Sequence, residues 1–301
     1  MNAEKRRKKL YSLLGDLPDA TLPITSKLVA TDENESFTTE CLMLSLNGIE
    51  EVPAYFTRPN NAKGPYPVML FSHSHGGRYH MGKSELLTPA PYGYQLSYAK
   101  AMADKGIACL AIDHWCFGER AGRPESVTFK SMLWKGQVMW GMMVFDSLRA
   151  IDYLVSRKDV DSARIGANGI SMGSTMSIWV AALDTRVKIC VDLCCLTDFE
   201  EFEREGNLDA HGIYYYVPSL RKHFTMADIN GLIAPRPHLS TAGVYDNLTP
   251  VHGLAKIEKK LNKLYSDMGA EGGFVLKTYP CGHLETRAMR EDVLAFIEGN
   301  L

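Results

Sequence analysis

The chain has 301 residues, with 33 Lys and Arg against 35 Asp and Glu, a formal charge of −2, and 46% hydrophobic residues. That near balance excludes a polyanion such as nucleic acid as the main partner, because phosphate binding needs a clustered cationic excess, and the composition excludes a disordered or fibrous chain. No apolar run approaches the roughly 18 to 20 residues of a membrane helix, so no membrane partner is expected.

The N-terminal MNAEKRRKKLYSLLGDLP is basic, and its apolar patch runs only from Leu10 to Leu14. That is too short for a secretory segment and reads as a short amphipathic helix ending at Gly15 and Pro18. Strand-like runs follow at 38–46 and 52–58, joined through Asn47 and Gly48, a favoured hairpin pair. Further strands read at 67–72, 108–113, 164–168, 188–193, 238–242 and 274–279. Helical spacing reads at 95–105, 141–156, 172–183, 251–268 and 284–298, with Val144, Leu148, Ile151 and Val155 as one apolar stripe and charges opposite. The runs VMLFS and CLAID are continuously apolar, as strands covered on both faces must be. The expectation is an α/β fold: a mainly parallel eight-stranded sheet, an N-terminal antiparallel edge hairpin, and helices on both faces. One domain spans 1–301, with insertions at about 115–139 and 197–233, because long mixed segments usually carry function or fold as a small cap. Of seven cysteines, Cys109, Cys190, Cys194 and Cys195 fall in apolar runs. Reduced thiols in a cytoplasmic protein are therefore expected.

The most informative residues are Gly169-Ile170-Ser171-Met172-Gly173, between a strand and a helix. A chain that turns from strand to helix within one residue leaves no room for side chains two before and two after, hence glycine at both places. It lifts Ser171 Oγ above the carboxyl end of the sheet, with the Met172 N–H at a helix N-terminus where negative charge is stabilised. The alternative is that Ser171 merely caps the helix.

A serine hydroxyl is a poor nucleophile until a base takes its proton, and the base needs an acid to hold its tautomer. HLSTAGVYDNLTP places Asp246 on a loop at a strand's carboxyl end, and FVLKTYPCGH places His283 at the next. Asp192 and Asp198 are the rival acids; His252, at the start of a helix, is the only other histidine after Asp246. An oxyanion hole needs a second N–H facing Met172. The loop FSHSHGGRYHMGK supplies it, since Gly76 and Gly77 let backbone approach a substrate. His73, His75 and His80 share that loop with no carboxylate among them, so backbone geometry, not a metal, is expected there.

HSHGG with the following GK, CLAIDHWCFGER, GISMG, IAPRPHLSTAGVYDNLTP and CGH together resemble the α/β-hydrolase superfamily, and more narrowly the dienelactone hydrolase and acetyl-xylan-esterase-like esterases. The resemblance implies Ser171 as nucleophile, Asp246 as acid, His283 as base, and the N–H groups of Met172 and His75 as oxyanion hole. Two departures matter. Dienelactone hydrolases proper carry cysteine where this chain has Ser171, and Ser74 stands where relatives often show glycine, leaving His75 and Gly76 as alternative donors. Glu119 and Arg120 look like a structural pair of the family beside the site, with a plain surface salt bridge as the alternative.

The reading is a serine hydrolase cleaving carboxylic esters of small acyl groups, acting on a small-molecule ester without cofactor or metal. Tyr214, Tyr215 and Tyr216 would form an aromatic wall that favours compact acyl groups. A lactone or C–C bond hydrolase, and a catalytically silent fold used for binding, are the alternatives.

Overall fold

A computed structural model describes residues 2–301. Its strands are β1 (Thr25–Glu33), β2 (Phe37–Ser45), β3 (Val52–Pro59), β4 (Tyr66–Ser72), β5 (Ala108–Ile112), β6 (Val160–Ile170), β7 (Val187–Leu193), β8 (His238–Gly243) and β9 (Phe274–Tyr279). They form one sheet in the order β1-β2-β3-β5-β4-β6-β7-β8-β9. β1, β2 and β3 are an antiparallel meander, and β3 is antiparallel to β5. From β5 to β9 every pairing is parallel. The sheet thus has nine strands where the pattern led us to expect eight. The extra one is β1, all nine of whose residues are exposed, so it carries no alternation to read.

The helices are α1 (Ala3–Tyr11), α2 (Tyr98–Ala103), α3 (Glu125–Trp134), α4 (Met139–Ser156), α5 (Met172–Leu183), α6 (Phe199–Arg204), α7 (Met226–Asn230), α8 (Val251–Asp267) and α9 (Arg287–Asn300). Strand alternation sorts the core into two faces. Val68 and Leu70 of β4 join the apolar cluster that contains α1, α4, α5, α7 and α8 residues. Met69 and Phe71 join the one with α2 and α9.

Two expectations need correction. Val155 is exposed, and the buried face of α4 includes Asp146 and Ser147 beside Val144, Ile151 and Leu154. The reason is a polar network: buried Asp146 accepts from Asn47 Nδ2 at 2.7 Å and from Arg120 at 2.8 Å, so a charge is buried on the face of α4 that the stripe left to solvent. Glu119 and Arg120 do not pair with each other. Arg120 binds Glu50 and Asp146 and lies over Trp115, while Glu119 binds Lys83.

β4 has β5 on one side and β6 on the other, which makes its carboxyl end the point where strand order reverses. Open α/β sheets bind ligands at such a point. Here it brings the loop after Ser72 beside the end of β6.

Candidate active site

Ser171 follows β6 with φ 57° and ψ −120°, a conformation that an L-residue holds only when its surroundings impose it. What imposes it is crowding. A Cβ on Gly173 would overlap the Ser72 carbonyl, and one on Gly169 would lie 2.5 Å from Gly173 C. The Ser171 N–H donates to the Leu193 carbonyl at 2.8 Å, tying the turn to β7. Its side chain makes no capping bond to α5.

Instead, Ser171 Oγ lies 2.9 Å from His283 Nε2, and His283 Nδ1 lies 2.7 Å from Asp246 Oδ2. Ionised Asp246 can only accept, so Nδ1 carries the proton and Nε2 is left to accept from the serine hydroxyl. The other Asp246 oxygen accepts the Leu248 N–H at 2.9 Å. The Asp246 side chain is 1% exposed and that of His283 is 27% exposed, so the carboxylate is dry while the imidazole is open to solvent. The two loops are held by backbone bonds: the Tyr245 N–H donates to the Cys281 carbonyl at 2.9 Å and the Val244 N–H to Tyr279 at 2.9 Å. Gly243 permits this approach, since a Cβ there would overlap the Cys281 and Gly282 carbonyls.

The rival acids are engaged elsewhere. Asp192 accepts from buried His238 at 2.6 Å and from Ser240 at 2.8 Å. Asp198 caps α6 through the Glu201 N–H, and His252 is exposed at the start of α8.

The loop after β4 spreads its histidines. His73 is fully buried and His80 is exposed. His75 accepts the Gly77 N–H on Nδ1 at 3.0 Å, so its Nε2–H donates to the Tyr214 hydroxyl at 2.7 Å. Burial pushes its pKa down, which keeps the ring neutral. The N–H groups of Met172, His75 and Gly76 bond to no other group among the described residues.

Of the three consecutive tyrosines, only Tyr214 reaches this loop. Its ring stacks on Trp140 at 6.0 Å. Tyr215 packs on Trp140, Phe199 and His211, and the Tyr216 hydroxyl binds the Leu208 carbonyl. The aromatic residue beside His283 is instead Tyr92, whose ring lies 6.3 Å from the imidazole. Tyr92 was not foreseen, because nothing in TPAPYGYQ marks it.

The other motif residues brace the loops. Lys83, buried, binds Asp113 at 2.9 Å and also Glu119, and Asp113 accepts the Lys83 and Glu119 N–H groups at 2.6 and 2.9 Å. One carboxylate at the end of β5 thus ties the GK turn to the FGER turn. All seven cysteines are free, and Cys41 and Cys281 are the two that are not buried. One surface cleft, about 560 Å³ and lined by Asp198, Phe199, Arg221, Phe224 and Lys256 among others, includes none of the three residues joined above.

Comparison with known proteins follows the same lines. Residues 19–221 match the acetyl xylan esterase (AXE1) family. The chain is 50% identical to YtaP, a hydrolase by name, of Bacillus subtilis (strain 168) over 298 residues, 99% of each protein. A structure from Bacteroides fragilis NCTC 9343, described as a candidate acetyl xylan esterase, superposes with a TM-score of 0.73 at 19% identity, over 92% of this chain and 74% of that one. A glucuronoyl esterase from Solibacter usitatus gives 0.71 at 15% identity, over 98% and 91%. At those identities the two structures attest the fold. With the fold, the sequence match and the full-length relative in agreement, the chain belongs to the acetyl xylan esterase family of α/β-hydrolases, which act on ester bonds.

Proposed function

We propose that this protein is a serine carboxylesterase that removes small acyl groups, acetyl first among them, from hydroxylated alcohols through an acyl-enzyme. The observation that carries the reading is the unbroken chain from Ser171 Oγ through His283 to Asp246, at 2.9 and 2.7 Å. Ser171 Oγ attacks the ester carbonyl while His283 Nε2 takes its proton. Negative charge collects on the former carbonyl oxygen, where the Met172 N–H and one N–H of the 75–76 loop receive it. His283 then gives its proton to the departing alcohol oxygen. Water, deprotonated by the same nitrogen, attacks the acyl-serine and releases the acid. Asp246 holds the imidazole tautomer and offsets its transient charge.

We read His75, fixed by Tyr214, and Tyr92, close to His283, as the side chains that restrict the acyl side and so favour acetyl. The family match speaks for acetylated carbohydrate as the alcohol part. The test is acetate release from acetylated xylo-oligosaccharides and from p-nitrophenyl acetate by wild type and Ser171→Ala. Ser171-dependent release supports the reading, and release that survives Ser171→Ala, or none from either substrate, overturns it.

A further inference from the structure

Glu85 is a carboxylate buried without a counter-charge. It is 4% exposed, it has no cationic partner among the described residues, and burial pushes its pKa up to about 7, with Glu285 nearby adding to the effect. Such a group lowers stability unless something else holds it. All its hydrogen bonds go to one residue. Glu85 Oε2 accepts the Ser74 N–H at 2.7 Å, and both oxygens lie 2.8 Å from the Ser74 hydroxyl. Ser74 Oγ also bonds the Tyr92 hydroxyl.

Ser74 is clamped from its other end as well. The His114 N–H donates to His73 Nε2 at 3.2 Å, which leaves the proton on Nδ1, and Nδ1–H donates to the Ser74 carbonyl at 2.9 Å. A neutral ring suits this role, and burial lowers the His73 pKa to about 4. The N–H, hydroxyl and carbonyl of Ser74 are thus all engaged. In a planar trans peptide the carbonyl and the next N–H point in opposite directions. Pinning the Ser74 carbonyl back onto buried His73 therefore turns the His75 N–H outward, away from the core, and that N–H has no partner among the described residues.

We propose that Glu85, assisted by His73, is a positioning residue that fixes the Ser74–His75 peptide so that the His75 N–H is the second oxyanion donor. The proposal rests on the serine esterase reading and selects His75 over Gly76. Gly76 serves a different end, because a Cβ there would overlap the Tyr92 ring, and its absence lets Tyr92 close over the loop. Sequence alone could not single out Glu85, because a carboxylate in a short turn ordinarily faces water.

The test uses the full chain as wild type, Glu85→Ala, Glu85→Gln and Ser74→Ala, with folding checked by thermal unfolding. Each hydrolyses p-nitrophenyl acetate and the corresponding thionoester, whose carbonyl sulfur is a poor partner for N–H donors. Losing one oxyanion donor costs about 10² to 10³ in kcat. Glu85→Ala should lose that order of kcat on the oxygen ester, with KM within about threefold, and its preference for oxygen over sulfur should shrink in step. Glu85→Gln, whose amide oxygen still accepts the Ser74 N–H, should recover part of both. If Glu85→Ala does not fold, Glu85→Gln and Ser74→Ala must both show a partial loss with the same shrinking preference. A folded variant with unchanged oxygen-to-sulfur preference overturns the proposal, whatever its kcat. If wild type itself shows no Ser171-dependent hydrolysis, the esterase reading fails and this one falls with it.

Discussion

Asp192 and His238 form a carboxylate–imidazole pair at 2.6 Å, fully buried, almost the same contact that Asp246 and His283 make at 2.7 Å. What separates the two is the far side of the ring. His283 Nε2 meets Ser171 Oγ, whereas the second nitrogen of His238 has no partner among the described residues. The serines around Asp192, Ser240 and Ser174, bond to its carboxylate.

The pairs should therefore fail differently. Asp246→Asn favours the wrong tautomer of His283 and should lower kcat by about four orders of magnitude with little change in thermal midpoint. Asp192→Asn should act on stability, because an amide cannot accept from both His238 and Ser240 as the carboxylate does. Steady-state kinetics and thermal unfolding on both variants check this; the reverse pattern would move the acid to β7.

The turn from β6 into α5 should tolerate no side chain at Gly173. A Cβ there meets the Ser72 backbone carbonyl, which cannot swing aside, so Gly173→Ala should lose at least about 1–3 kcal/mol of stability. Gly299, in α9, has nothing within 4 Å, and Gly299→Ala should gain up to about 0.5–1 kcal/mol from helix propensity. Denaturant midpoints decide, and equal midpoints for the two variants would contradict the crowding argument.

Acid should unfold this protein through its histidines. Burial lowers His73 and His211 to about 4 and His114 well below its ordinary 6.5. The unfolded chain therefore binds protons that the folded one refuses, and stability present above pH 6.5 drains as pH falls toward 4. Glu85 has the opposite sign: its carboxyl, raised from 4.5 to about 7, favours the fold below 4.5 and costs stability as pH rises to 7. His75 is lowered by burial as well, so the histidines outnumber Glu85 and the balance favours loss of stability as pH falls. Thermal midpoints should fall steadily from pH 7 to 5. Glu85→Gln should be stabilised relative to wild type above pH 7 and lose that advantage by pH 5; the same gain at both would contradict a buried ionisation.

Much of the fold and site is legible in the chain because the signals are local. Gly169 and Gly173 bracket Ser171 for a steric reason, and Asp246 and His283 follow strands whose apolar runs announce them. β1 is invisible there because both its faces are wet, and it is placed by backbone pairing with β2 alone. The α4 face is misjudged because Asp146 is neutralised by Arg120 and Asn47, partners 26 and 99 residues away. The tyrosine wall fails similarly: Tyr215 and Tyr216 look alike in sequence to Tyr214, and only the packing of the insertion decides which one reaches His75.

Acyl size tests the site's shape. With His75 held by Tyr214 and with Tyr92 at 6.3 Å from His283, kcat/KM across p-nitrophenyl esters should be greatest at acetate or propionate and fall with chain length. A maximum at octanoate or beyond would contradict a restricted acyl side.

The most direct measurement is labelling with a fluorophosphonate. The probe reacts only when a base removes the serine proton and N–H donors hold the phosphoryl oxygen, so it reports nucleophile, base and oxyanion hole at once. Peptide mass spectrometry should find one label, on Ser171, absent in Ser171→Ala, much slowed in His283→Ala, and unaffected by prior alkylation of the two unburied thiols, Cys41 and Cys281. A folded protein that takes up no probe at neutral pH, or takes it up at another residue, would contradict a Ser171–His283–Asp246 esterase.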